Sequence, residues 1–184
     1  MDRKEAVQYI SLLLGGTLVG ANSFLAGCKT TDRQLFSKED QAYLDEIAET
    51  ILPATKTPGA KAAQVGQFMI VMITDCYNNN EQEIFRSGMK KINDESKKKF
   101  GKSYLEVGPE QRHELLLQID TEEKQYMKNK KEDEPVHYFR MLKELTLLGY
   151  FSSQPGTTKA KRYMPLPGKY IGCVPYTKGE KAIV

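Results

Sequence analysis

Apolar residues recur at intervals of three and four along most of the chain, and no segment alternates with the two-residue period of a strand. In FSKEDQAYLDEIAETILP, Leu44, Ile47, Ala48 and Ile51 stand at i, i+3, i+4 and i+7. Ser37, three residues before Asp40, opens that helix with a capping box, and Pro53 stops it. A turn-bearing loop around Pro58 and Gly59 follows. VGQFMIVMITDCY sets Val65, Phe68, Met69, Met72, Ile73 and Cys76 in one register, with Ile70 and Val71 beyond it. Being apolar nearly all round, it predicts the buried centre of a bundle and makes Cys76 a small core residue. NNNEQEIFRSGMKKINDESKKKFG carries Ile84, Phe85, Met89 and Ile92 between asparagine caps and Gly101. Pro109, after Gly108, opens PEQRHELLLQIDTEEKQYMK with Leu115, Leu116 and Ile119 inward. PVHYFRMLKELTLLGYF then lines Tyr138, Met141, Leu142, Leu145 and Leu148 along one side. The pattern predicts an all-α fold, a small bundle of about five helices over residues 37–151.

The two ends differ from this body. Residues 152–184 hold Pro155, Pro165, Pro167 and Pro175 with Gly156, Gly168, Gly172 and Gly179, a density that forbids a continuing helix. Yet Tyr163, Met164, Leu166, Tyr170, Ile171, Val174 and Tyr176 are too apolar for a solvated tail. The segment predicts an extended C-terminal arm that buries itself on its own bundle or on another protein. At the other end, polar MDRKEAVQY precedes the apolar run ISLLLGGTLVGANSFLAG, the layout of a secretory signal peptide over residues 1–27. That run is too short and too diluted by glycine for a spanning helix of about 20 apolar residues. Its ending, LAGC, resembles the bacterial lipobox, which makes Cys28 the acylated first residue after cleavage and residues 28–36 a linker. Arg3-Lys4 resembles a twin-arginine signal with lysine in the second place. The expected location is exported and periplasmic, lipid-anchored to a bacterial membrane.

Composition narrows the function. Without residues 1–27 the chain keeps 157 of its 184 residues, the size of one ordinary domain. A formal charge of +3 with 28% charged residues of mixed sign gives no argument for nucleic acid. The lysines of MKNKKEDEP meet acids at once and read as a solvated surface. Besides Cys28 only Cys76 and Cys173 remain, which an oxidising compartment allows to pair with each other or with a partner. His113 and His137 are too few for a metal or haem site. His113 and Glu114 are adjacent and do not face each other, Ser152-Ser153 lacks the flanks of a nucleophile elbow, and no glycine-rich phosphate loop follows a strand. No catalytic, cofactor-binding or metal-binding residue is expected. Two readings stay open: a subunit that needs a partner, and a free-standing periplasmic lipoprotein holding a small ligand between its helices.

ILPATKTPGAKAAQVGQFM after the first helix, LTLLGYFSSQPGTTKAKRYMPLPGKYIGC near the end, and the lipoprotein signal together resemble the gluconate 2-dehydrogenase subunit 3 family. The resemblance implies the non-catalytic small subunit of a membrane-associated periplasmic sugar or alcohol dehydrogenase complex. Its large partner would be a flavoprotein of the glucose-methanol-choline type carrying FAD, with electrons passing to a cytochrome c subunit or the quinone pool. The small subunit would assist that partner's export, maturation and stability. By position, the loop Leu52 to Ala60, with Pro53, Pro58 and Gly59, and the arm Gly149 to Cys173 would touch the partner. Tyr150, Phe151, Tyr163 and Tyr170 would be the arm's anchors. Pro155, Pro165 and Pro167, with Gly156 and Gly168, would shape it and lower the entropy cost of ordering it. Cys173 would bond either to the flavoprotein or, internally, to Cys76.

Overall fold

The computed structural model describes residues 35–165, 168–169, 172–173, 175 and 177–183. Five helices form the body: α1 (Lys38–Ile51), α2 (Val65–Cys76), α3 (Asn79–Phe100), α4 (Pro109–Asn129) and α5 (Tyr138–Ser152). A π-helical turn, Gly156–Ala160, follows, and the described residues contain no strand beyond an isolated parallel bridge between Arg162 and Ile183.

The helix ends form where side chains can satisfy the backbone groups that a helix leaves orphaned. At α1 the Ser37 hydroxyl accepts from the Asp40 N–H at 3.1 Å, and the Asp40 carboxylate accepts from the Ser37 N–H at 2.8 Å. Asn78 and Glu81 make the same reciprocal pair at the head of α3, both bonds 3.0 Å. That helix ends at Gly101, whose φ of 71° is cheap only for glycine, and Lys97, Lys98 and Lys99 face its negative end. Pro109 sits in the first turn of α4, where no N–H is missed.

The centre of the bundle is α5. It packs against each of the other four helices and buries Tyr138, Phe139, Met141, Leu142, Leu145, Thr146, Gly149 and Tyr150. Each such large apolar side chain contributes about 1.5–3 kcal/mol on burial. This corrects the assignment of the centre to VGQFMIVMITDCY. Within α2 only Val65, Gly66, Met69 and Ile73 are buried, while Val71 is 50% exposed. The helix lies mainly against α1 and α5, so the apolar residues off its inner stripe face outward. Cys76, its last residue, is an exposed thiol and not a core residue. Leu148 is likewise exposed, because the buried face of α5 advances from Leu145 to Gly149, which accepts the Phe68 ring. Phe36, just ahead of α1, is buried edge-on to Phe85, their centroids 6.1 Å apart.

One contact sets how closely α3 and α5 approach. A Cβ on Gly88 would lie 2.4 Å from the Tyr138 ring, inside any real contact distance. Gly88→Ala gains about 1 kcal/mol of helix propensity but overpacks the crossing by about 1–3 kcal/mol. The expected result is a lower urea midpoint at unchanged m-value; an equal or higher midpoint would show that Tyr138 does not press on Gly88.

Candidate partner-docking site

The last two turns of α1 aim three carboxylates at the loop that leads to α2. Glu49 spans the loop: its Oε1 accepts from the Ala54 N–H at 2.9 Å and its Oε2 from the Lys61 N–H at 2.8 Å. Those N–H groups have no helical partner, and the carboxylate supplies one acceptor for each limb. Position 59 calls for glycine, since a Cβ there would come within 2.6 Å of the Ala54 backbone nitrogen as well as within 2.2 Å and 2.4 Å of the two Glu49 oxygens. The Ala60 N–H donates to the Leu52 carbonyl at 3.0 Å, closing the loop's neck. Asp45 accepts from the Gly66 N–H at 3.0 Å and pins the head of α2, where a Cβ on residue 66 would sit 2.5 Å from the carboxylate. Gln64, at φ 54°, takes the left-handed conformation that lets the chain enter α2.

Glu46 completes the cluster by pairing with both Lys61 and Arg112. The hydrogen bond from Lys61 and the nearby Arg112 charge hold the Glu46 carboxyl below its ordinary value of 4.5. Burial pushes Asp45 the other way, above its ordinary 3.8, against the Gly66 bond.

The second motif arrives at the same place. The Tyr150 hydroxyl donates to the Pro58 carbonyl at 2.6 Å, and the residue is only 4% exposed. Past Tyr150 the chain folds back tightly. The Ser153 hydroxyl donates to the Tyr150 carbonyl at 2.6 Å and accepts from the Gly156 N–H at 3.1 Å. A Cβ on Gly156 would lie 1.9 Å from the Tyr150 carbonyl oxygen, so this reversal also requires glycine. Helical conformation does resume after Pro155, contrary to the expectation drawn from proline density. Ser153 ends α5 with an extended ψ of 159°, and Pro155 opens the new turn where its missing N–H costs nothing.

The predicted docking residues therefore divide by burial. Gly59, Tyr150 and Gly156 are buried within this chain. In this chain they serve as internal joints: Tyr150 bonds Pro58, Gly156 bonds Ser153, and Gly59 lies against Glu49 and Ala54. Pro58 and Pro155 are half-buried. Pro53, Phe151, Tyr163, Pro165 and Gly168 are exposed, Tyr163 by 57%. The Lys161 ammonium lies 4.9 Å from the Phe151 ring centroid, and Tyr150 meets the same ring edge-on at 5.1 Å. Pro167, Tyr170 and Cys28 lie outside the described residues. Cys76 and Cys173 are both free and exposed.

Two groups of residues escaped the sequence reading. Leu147, not singled out there, joins Leu148, read there as inward, and Phe151 on the outer face of α5, giving an exposed apolar strip beside the arm. Asp45 and Glu49 organise the loop, and the available signal was two carboxylates one turn apart just ahead of a Pro/Gly loop. Neither histidine forms an acid–base pair here: His137 caps α5, its Nδ1 accepting from the Phe139 N–H at 3.3 Å, and burial lowers its pKa. Among the described residues no three His, Cys, Asp or Glu side chains are arranged to hold a metal.

Two outcomes follow from the joint. Tyr150→Phe removes the bond to Pro58 and should cost about 1–3 kcal/mol, with faster proteolytic nicking between residues 53 and 57. Unchanged stability and unchanged nicking would show that the bond does not hold the loop. The depressed Glu46 pKa stabilises the fold fully above about pH 4.5, and that contribution is lost as pH falls through the lower folded value. Raised Asp45 acts oppositely, since its protonation in acid relieves a burial cost. Glu46→Gln should therefore be less stable than the parent at pH 7, with the difference shrinking below pH 4.5; a difference that stays constant over that window would contradict the pairing.

The family model for gluconate 2-dehydrogenase subunit 3 matches residues 38–168. No curated protein and no solved structure matches. The matched span runs from the first residue of α1 through the Glu49-tied loop, α5 and the π-helical turn to Gly168, and so contains the first motif, the second up to Gly168, and the joint between them. This chain belongs to the gluconate 2-dehydrogenase subunit 3 family.

Proposed function

We propose that this chain is the non-catalytic small subunit of a membrane-associated dehydrogenase complex, docking on a large flavoprotein subunit through the joined loop and arm. The observation that carries the reading is the Tyr150–Pro58 bond, which fuses two motifs far apart in sequence into one continuous region. Leu147, Leu148 and Phe151 at the end of α5, and Tyr163 and Met164 in the arm that follows, stand exposed. Large apolar side chains gathered in one region of surface mark a protein contact more often than a resting surface.

The partner is a flavoprotein of the glucose-methanol-choline type that carries the FAD, so this chain needs no cofactor and contributes no reacting group. A cytochrome c subunit or the quinone pool takes the electrons. Pairing before export explains the N-terminal address: a twin-arginine-like signal moves folded cargo, and a flavoprotein that has bound its FAD must cross folded. Acylated Cys28 then tethers the pair to the membrane on the periplasmic side. Cys173, exposed in the arm, would then bond to the partner covalently rather than to Cys76.

Co-expression of the full chain with the flavoprotein encoded beside it should yield a yellow complex that stays together through purification. The chain alone should expose apolar surface and associate. A colourless, stable monomer that leaves the flavoprotein behind would overturn the reading in favour of a free-standing lipoprotein.

A further inference from the structure

We infer that the C-terminal arm presents a basic clamp that recognises an acidic protein surface on the subunit it docks against. The inference rests on the subunit role proposed above and adds the chemistry of the partner's face. Among the side chains of residues 157–184, Lys159, Lys161, Arg162, Lys169, Lys178 and Lys181 face a single acid, Glu180. Six cations less one carboxylate is +5, whereas the whole chain is +3, so residues 1–156 carry −2. The positive charge of this protein is concentrated in its arm.

The structure gathers that charge further. The Arg162 N–H donates to the Ala182 carbonyl at 2.8 Å, and the bridge between Arg162 and Ile183 lays the 159–162 run beside the 178–183 run. Arg162 pairs with Glu180 at 3.2 Å, which uses up the arm's one acid, and Lys181 donates to the Lys159 carbonyl. A groove lined by Thr158, Lys161, Arg162, Tyr163 and Lys181 opens between the runs. Like charges on neighbouring runs repel one another, a cost that an opposing set of carboxylates reduces.

Protein, not lipid or nucleic acid, is the occupant these features favour. Tyr163, Met164 and Ile183 stand exposed among the cations, an aromatic and apolar rim suited to a shaped protein surface. The same arm also continues from the joint at Tyr150, so the clamp and the apolar strip of α5 lie on one stretch of chain. Charge complementarity would set orientation and association rate while the apolar strip holds the complex.

The test uses the full lipidated chain in detergent micelles and its purified flavoprotein subunit under reducing conditions, with affinity read by biolayer interferometry. Raising salt from about 50 mM to about 500 mM should weaken the pair about ten-fold or more. Lys161→Glu with Lys178→Glu should weaken it about ten-fold at low salt and flatten the salt dependence, while Lys161→Arg with Lys178→Arg should restore both. Unchanged circular dichroism of the glutamate variant separates lost binding from lost folding. Binding that ignores both salt and substitution overturns the clamp and leaves the subunit role standing. Failure to bind at any salt overturns both. If the glutamate variant binds the flavoprotein normally but loses binding to phosphatidylglycerol vesicles, the occupant is a membrane and the inference is wrong.

Discussion

A single carboxylate holds the region on which everything else in this structure depends. The chain between α1 and α2 leaves backbone N–H groups without helical partners, and Glu49 takes one from each limb of the loop. Hydrogen bonds to a charged acceptor contribute about 1.5–3 kcal/mol each, enough to define one loop conformation. Once Glu49 lies across the loop, position 59 has no room for a side chain. The loop's shape in turn points the Pro58 carbonyl at Tyr150, which ties the far end of α5 to it. The fold's longest-range organisation thus hangs from one acidic side chain near the end of the first helix.

That arrangement explains why α5 is the central helix. It is anchored at its start by His137 as a cap and at its end by Tyr150 against the loop, and all four other helices cover it. The glycines at 88 and 149 lie where a neighbouring aromatic ring crosses the backbone, so their absent side chains set the helix spacing. The outward face of the same helix carries Leu147, Leu148 and Phe151. One element therefore serves as core on one side and as candidate contact surface on the other, and the arm leaves from its end.

The helices themselves were legible in the sequence because their signals are local. Ser37 with Asp40, an asparagine cap at the head of α3, and Pro109 after Gly108 each act over three residues or fewer, and each forms where the sequence puts it. The stripe of Leu44, Ile47 and Ala48 is buried for the same reason. What could not be read depends on partners distant in the chain. Cys76 and Val71 sit on an apolar helix whose outer face nothing in the body covers, which periodicity does not disclose. Tyr104, fully buried in a short connection, bonds Thr50 more than fifty residues away. Likewise Tyr150 was expected to be an anchor from the family resemblance alone, and its burial against the loop was not read from its surroundings in the sequence. Its actual acceptor, a carbonyl 92 residues earlier, has no sequence signature at all.

The central claim is that the loop and the arm act as one docking region. Hydrogen–deuterium exchange of this chain, free and bound to its flavoprotein subunit, tests it most directly. The account predicts new protection on binding in residues 52–64 and 150–165 together, with α3 unchanged. Protection confined to α3 and α4, or appearing in one motif without the other, would contradict it.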